Sequence, residues 1–306
     1  MSLRITVLGR GAWGATLLRL WERQGHHLSS WSRRDGGHPA TLLQDCDLVV
    51  VAVSMVGVAP LGTQLQRLWP ADLPLLSCSK GIDLDTLCTA SQLWRRHLPD
   101  VPLAVLSGPN LADELERGLP AASVLSSRDH GLARHLQEQL RAPHFRLYTN
   151  ADPIGTEAAG ALKNVIALAA GISDGLGLGA NAKASLLCRG LSEIAVVLTA
   201  LGGQPTTLYG LAGLGDLLAT ANSSLSRNYR FGTLLAEGCD EATALGQIGA
   251  TVEGPRTARA TLALAQREGW QLPICDQVVR LLAGRVEARQ AVQELMQRDL
   301  KAEAAT

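Results

Sequence analysis

A strand, a glycine fingerprint and a helix follow one another without a break in the first 23 residues. Leu3 to Leu8 alternates and is rich in Ile5, Thr6 and Val7, which predicts a buried strand. It runs into Gly9-Arg10-Gly11-Ala12-Trp13-Gly14, and Ala15 to Arg23 then carries the apolar periodicity of a helix. G-x-G-x-x-G is weak alone, but between a strand and a helix it has a physical reading. The first glycine permits a tight turn, the second admits a phosphate close to backbone, and the third lets helix and strand pack closely. A pyrophosphate would then sit on the free N–H groups of the helix N-terminus. A merely glycine-rich turn is the alternative. The flanking elements favour dinucleotide binding, with Gly9, Gly11, Ala12, Trp13 and Gly14 at the cofactor.

His27 to Trp31 reads as a second strand ending in Ser32-Arg33-Arg34. An NAD site usually places an acid here for the ribose hydroxyls, whereas arginines suit the 2′-phosphate of NADP. Asp35 is the one acid close by and follows two arginines. We therefore expect NADPH to be preferred over NADH, with Arg33 and Arg34 as contacts and two solvated surface arginines as the plain alternative. Only Asp35 to Gln44 precedes the apolar run Asp47 to Val53. Ten residues cannot hold a helix, a strand and a second helix. The nucleotide domain is thus expected to be abbreviated after its second strand, with one strand missing.

The alternation resumes with a helix at Gly57–Trp69, a strand at Leu73–Cys78, a helix at Thr86–His97 and a strand at Val101–Leu106. A short helix at Leu111–Arg117, strands at Ala121–Leu125 and Phe145–Tyr148, and a helix at Asp129–Leu140 follow. Ligands of open α/β sheets bind beyond the carboxyl ends of strands. Two loops fall there: one holds Lys80, the other Gly108 and Asn110. Lys80 could meet a phosphate or carbonyl oxygen, or be an exposed loop lysine. Asn110 could offer its amide to a ligand or cap the next helix.

After Tyr148 strand signals stop. Thr149, Asn150, Asp152 and Pro153 offer a cap and a first-turn proline to a long helix of small and apolar residues, interrupted by Lys163 and Asn164. A lysine on such a face either reaches water or serves a reaction centre. Further helices are predicted at Ala182–Leu201, Ala212–Thr220, Arg230–Glu237, Thr257–Glu268 and Pro273–Ala283. A Rossmann-type α/β domain over 1–150 followed by an all-α domain over 151–306 is the expected division, with substrate between them. Asp216 ends a glycine-rich turn, and Ser226-Arg227-Asn228 offers a hydroxyl, a guanidinium and an amide suited to phosphate. Singly, Asp216 reads as a helix cap and Arg227 as a surface charge.

Lys plus Arg and Asp plus Glu each number 28, which argues against a general nucleic-acid or membrane-surface binder. Six cysteines show neither CxxC pairing nor clustering with histidine, so no metal site is expected and a reducing, cytoplasmic setting is the simpler reading. The expected partner is a small phosphate-bearing substrate, and the expected assembly a homodimer.

The same residues carry a resemblance to the bacterial-type NAD(P)-dependent glycerol-3-phosphate dehydrogenases. It rests on GRGAWG at 9–14, CSKGI at 78–82, SGPN at 107–110, ALKNVIALAAGISDGLGLGANAKA at 161–184, AGLGDLLAT at 212–220, SRNYRFG at 226–232 and VEG at 252–254. The resemblance implies reduction of dihydroxyacetone phosphate to sn-glycerol 3-phosphate for glycerophospholipid synthesis. It implies Lys163 as proton donor and acceptor, and substrate contacts at Lys80, Gly108, Asn110, Asp216, Ser226, Arg227 and Asn228; Asn164, beside the lysine, is expected to orient substrate and lysine. It also implies cofactor contacts at Trp13, Arg33, Arg34, Lys80, Ala112, Arg227 and Glu253. Asn110 stands where the family has Ser or Thr, Ala221 where it has Cys, and the segment after Arg34 is shorter than the family's. A two-domain NADP-dependent hydroxy-acid dehydrogenase is the enzymatic alternative, and a non-catalytic NADP sensor the other.

Overall fold

Strand β1 (Arg4–Leu8) sends alternate side chains into two buried layers. Ile5 and Val7 join Leu48 and Val50 on one face, whereas Leu8 joins Val49 and Val51 on the other. Such burial on both faces is what a parallel sheet between helical layers requires. The computed structural model describes residues 2–299, so the last seven residues of the expected second domain, 300–306, lie outside the described residues.

Helix α1 (Ala12–Glu22) begins inside the fingerprint, earlier than the apolar periodicity alone places it. Strand β2 (His27–Trp31) has the expected bounds. A short 3-10 turn over Arg33–Asp35 and another over Pro39–Leu42 then lead into β3 (Leu48–Val51). Helix α2 (Met55–Leu65), β4 (Leu75–Ser77), α3 (Ala90–His97), β5 (Leu103–Ser107), α4 (Ala112–Glu116), β6 (Ala121–Ser126), α5 (His130–Leu140) and β7 (Phe145–Asn150) complete this part.

The seven strands lie in the order β2-β1-β3-β4-β5-β6-β7. β2 is an edge strand, and among the described residues no strand lies beyond it, in keeping with the short connection to β3. The chain leaves β1 for β2 on one side and takes up β3 on the other. The fingerprint loop thus opens at the switch point of the sheet, where α/β proteins bind ligands. β5 and β6 pair antiparallel, a feature that apolar runs cannot reveal.

α3 begins at Ala90 rather than Thr86, because Asp83 accepts from Thr86 N (2.9 Å) and Oγ1 (2.7 Å) and closes a turn first. Thr89 and Gln92 then form a capping box that starts the helix. α2 ends at Leu65, short of the expected Trp69.

Beyond β7 the described chain holds helices and turns. Helix α6 (Pro153–Gly175) is capped by Asp152, whose Oδ1 accepts from Gly155 N at 2.9 Å. The sequence predicts one small-residue face on it, yet every residue from Gly155 to Ser173 is buried. A helix buried all round is a central one. Around it run α7 (Gly179–Ala200), α8 (Asp216–Ala221), α9 (Arg227–Ala236), α10 (Glu241–Ile248), α11 (Gly254–Glu268), α12 (Pro273–Leu282) and α13 (Ala288–Met296). The periodicity reading assigns neither α10 nor α13, both short. A 3-10 turn at Pro205–Tyr209 and a π-helical turn at Leu211–Gly215 precede α8. α6 and α9 cross backbone to backbone: a Cβ on Gly171 would lie 2.0 Å from Tyr229 O, and one on Gly232 2.0 Å from Leu168 O.

Candidate active site

The strand ends, α6 and the first turn of α9 enclose a cleft of about 420 Å³. From the sheet side Gly11, Ala12, Trp13, Lys80, Asn110 and Ala112 line it. From the helical side come Lys163, Asn164, Asp216, Ser226, Arg227, Asn228 and Glu253. Residues far apart in sequence thus meet on one surface.

At its floor Lys163 is 7% exposed and Asp216 1%. Lys163 Nζ donates to Asp216 Oδ1 (2.9 Å) and to Thr220 Oγ1 (2.7 Å). Lys80 Nζ donates to Asp216 Oδ2 (2.7 Å) and to the Gly108 carbonyl (3.1 Å). Burial lowers the Lys163 ammonium to about 8; Lys80 and Arg227 add to this and Asp216 opposes it. Burial alone would raise the Asp216 carboxyl, but the two ammoniums outweigh it and hold it below the ordinary carboxylate value. Asp216 caps no helix, since both its oxygens serve lysines. One carboxylate between two cations leaves the floor with one net positive charge, suited to an oxygen that gains negative charge.

Thr220 has no place among the residues singled out in the sequence, although it holds Lys163. Its spacing of four from Asp216 on one helix is the signal that could have found it.

The amides are more constrained than a free clamp. Asn228 Nδ2 donates to Asn164 Oδ1 (2.8 Å), and Asn228 Oδ1 accepts from Gly254 N (2.8 Å). These bonds tie α6, α9 and α11 beside the cleft and leave each amide only part of its capacity. Asn110 is not a helix cap either: its Oδ1 accepts from Ser123 Oγ, and its Nδ2 has no partner among the described residues. Ser226 caps α9 by accepting from Tyr229 N at 3.2 Å, which leaves its hydroxyl hydrogen to donate. Arg227 is exposed at the mouth and makes no hydrogen bond or ion pair with a described residue. Glu253 Oε1 accepts from Met55 N at 3.3 Å, so one of its oxygens serves α2; burial raises its carboxyl above the usual value.

The fingerprint fits a dinucleotide on geometric grounds. Gly9 has φ +108°, and a Cβ there would lie 2.7 Å from Ala52 O. A Cβ on Gly14 would lie 1.9 Å from Gly9 O, so the third glycine serves the packing of α1. Nothing stands within 4 Å of a Cβ built on Gly11, the open side a phosphate would approach. No side chain caps α1, which leaves its first N–H groups to a ligand. Gly9, Gly14 and Gly108 lie outside the cleft lining, and Gly108 acts through its carbonyl. Arg33 and Arg34 are exposed past the end of β2 and do not line the cleft.

Models of the NAD-dependent glycerol-3-phosphate dehydrogenase family match in two pieces, the N-terminus over 37–133 and the C-terminus over 152–293. A glycerol-3-phosphate dehydrogenase (NAD(P)+) of Synechococcus sp. strain RCC307 is 54% identical over 303 residues, 99% of this chain and 100% of that one. The chain belongs to the glycerol-3-phosphate dehydrogenase family. A second relative of the same description, from Trichormus variabilis, is 46% identical over 98% of both chains. The crystal structure of the glycerol-3-phosphate dehydrogenase of Coxiella burnetii superposes with a TM-score of 0.93 at 34% identity, covering 97% of this chain and 99% of that one. No helix among the described residues is long and apolar enough to cross a membrane.

Proposed function

We propose that this family member reduces dihydroxyacetone phosphate to sn-glycerol 3-phosphate, reversibly, with NADPH preferred over NADH, and so supplies glycerophospholipid synthesis. The observation that carries the reading is Lys163 Nζ, held by Asp216 and Thr220 on the floor of a cleft that the glycine fingerprint also lines.

A nicotinamide cofactor bound there would supply a hydride for the substrate's ketone carbon. Lys163, mostly ammonium at neutral pH, gives a proton to the ketone oxygen as negative charge develops there. In the reverse direction its amine takes the proton from the hydroxyl. Asp216 stays ionised and orients both lysines, and Lys80 adds a second positive charge beside the oxygen. Arg227 and the Ser226 hydroxyl, at the start of the ten-residue α9, receive the phosphate. Asn164 and Asn228 hold the helices that carry these groups. Asn110 Nδ2, a donor without a partner among the described residues, is a further substrate contact. Ala112, Trp13 and Glu253 would adjoin the cofactor, and Arg33 and Arg34, exposed past the end of β2, would take its 2′-phosphate. A division into two domains near residue 150 is supported by the end of β7 at Asn150 and the start of α6 at Pro153. All six cysteines are free thiols, which supports a cytoplasmic setting; a homodimer is the assembly that light scattering should find.

The deciding assay follows NADPH oxidation with dihydroxyacetone phosphate, with a 2-keto acid as rival substrate and NADH as rival cofactor. Turnover with the phosphate ketone alone supports the reading. Turnover with the keto acid instead supports a hydroxy-acid dehydrogenase, and none with either supports a sensor.

A further inference from the structure

We propose that Arg10, the variable residue between the first two fingerprint glycines, sets cofactor choice by holding the Asp35 carboxylate away from the cofactor's ribose. This rests on the dinucleotide reading of the cleft and concerns the adenosine end.

Asp35 is the acid nearest the end of β2, where an NAD site usually places a carboxylate for the ribose hydroxyls. In this chain each of its oxygens already accepts one hydrogen bond. Oδ1 accepts from the Arg10 guanidinium, and Oδ2 accepts from Ser32 N at 3.0 Å. The surrounding turn is fixed as well: Ser32 Oγ accepts from Arg34 N (3.2 Å), and Trp31 Nε1 donates to the Gly36 carbonyl (3.1 Å). The fingerprint is stitched to the same strand end, since Gly9 N donates to Trp31 O at 2.8 Å. Arg10 therefore reaches Asp35 from the loop that would carry the pyrophosphate.

The charge balance explains why this matters. Arg10, Arg33 and Arg34 against Asp35 leave two net positive charges beside an adenosine 2′-phosphate. His38, also near, has its Nδ1 occupied as an acceptor from Ala40 N. Without Arg10, Asp35 Oδ1 would lose its partner while Oδ2 stays on Ser32 N, leaving an unneutralised carboxylate that repels a dianion and can accept from ribose hydroxyls, the recognition suited to NADH. Both partners are partly exposed, 44% and 37% by side chain, so the pair adds little to folding and its removal leaves the fold intact.

The test is calorimetric binding of 2′,5′-ADP and 5′-ADP, which needs no turnover. The wild-type chain should bind 2′,5′-ADP more tightly. Arg10→Met should shrink that preference about fivefold or more, the size of one unmasked charge in a solvated site. Asp35→Asn alone should not lower the preference, and added to Arg10→Met it should restore it. An unchanged preference in Arg10→Met overturns the inference. So does a loss that Asp35→Asn does not repair, because Arg10 would then contact the phosphate itself. A wild-type chain that binds neither nucleotide contradicts the dinucleotide reading as a whole.

Discussion

Lys163 Nζ donates to Asp216 Oδ1 at 2.9 Å, and both side chains are buried. The two residues are 53 positions apart, on α6 and on the first turn of α8. The other oxygen of Asp216 holds Lys80, from the loop after β4. A single carboxylate thereby fixes two ammoniums contributed by the sheet and by the helical layer, and the following expectations turn on it.

The pH profile should carry the signature of a lysine lowered to about 8. Ketone reduction needs the ammonium, so kcat/KM should be level below about pH 8 and fall about tenfold per unit above it. Alcohol oxidation needs the amine, so its kcat/KM should rise through about pH 8 and then level. A reduction profile still flat at pH 9.5 would show that this lysine is not the acid.

Asp216→Asn removes the charge that opposes the loss of the Lys163 proton. The alkaline limb of reduction should move to lower pH, and stability in denaturant titration should drop by about 3 kcal/mol, as when one partner of a buried pair is lost. Lower stability with an unmoved limb would confine Asp216 to a structural role.

Arg227→Ala should raise the KM for dihydroxyacetone phosphate about tenfold with little change in kcat, the effect of losing a charge-assisted contact. The guanidinium is exposed and makes no hydrogen bond within the described chain, so melting should be unaffected. An unchanged KM contradicts the phosphate contact.

Gly171→Ala tests the crossing that sets α9 against the catalytic helix. The new methyl carbon would lie 2.0 Å from Tyr229 O, which is backbone, and overpacking of this kind costs about 1–3 kcal/mol. The melting temperature should fall and the substrate KM should rise, since α9 carries Ser226 and Arg227. Wild-type melting would show that the two helices part at no cost.

Much of this was legible in the sequence because it is local. The strand, fingerprint and helix follow one another directly, and the ten residues after Arg34 already exclude a strand beyond β2. The partners of Lys163 were not legible in the same way. Its contact with Asp216 depends on how α8 is set against α6 by the π-helical turn at Leu211–Gly215, which no periodicity announces. The masking of Asp35 likewise needs the fingerprint and the end of β2 side by side. α3 was placed too early because the Asp83–Thr86 turn mimics a helix start. The sequence offers Asn228 as an amide suited to phosphate, whereas in the structure its Nδ2 donates to Asn164 and its Oδ1 accepts from Gly254 N.

The most direct measurement compares wild-type and Lys163→Ala chains for NADPH oxidation with dihydroxyacetone phosphate, alongside NADPH affinity by calorimetry. Loss of a general acid predicts that kcat falls about a hundredfold or more while NADPH affinity stays within about twofold. Near-normal turnover in the variant would contradict the assignment of Lys163 as the proton donor.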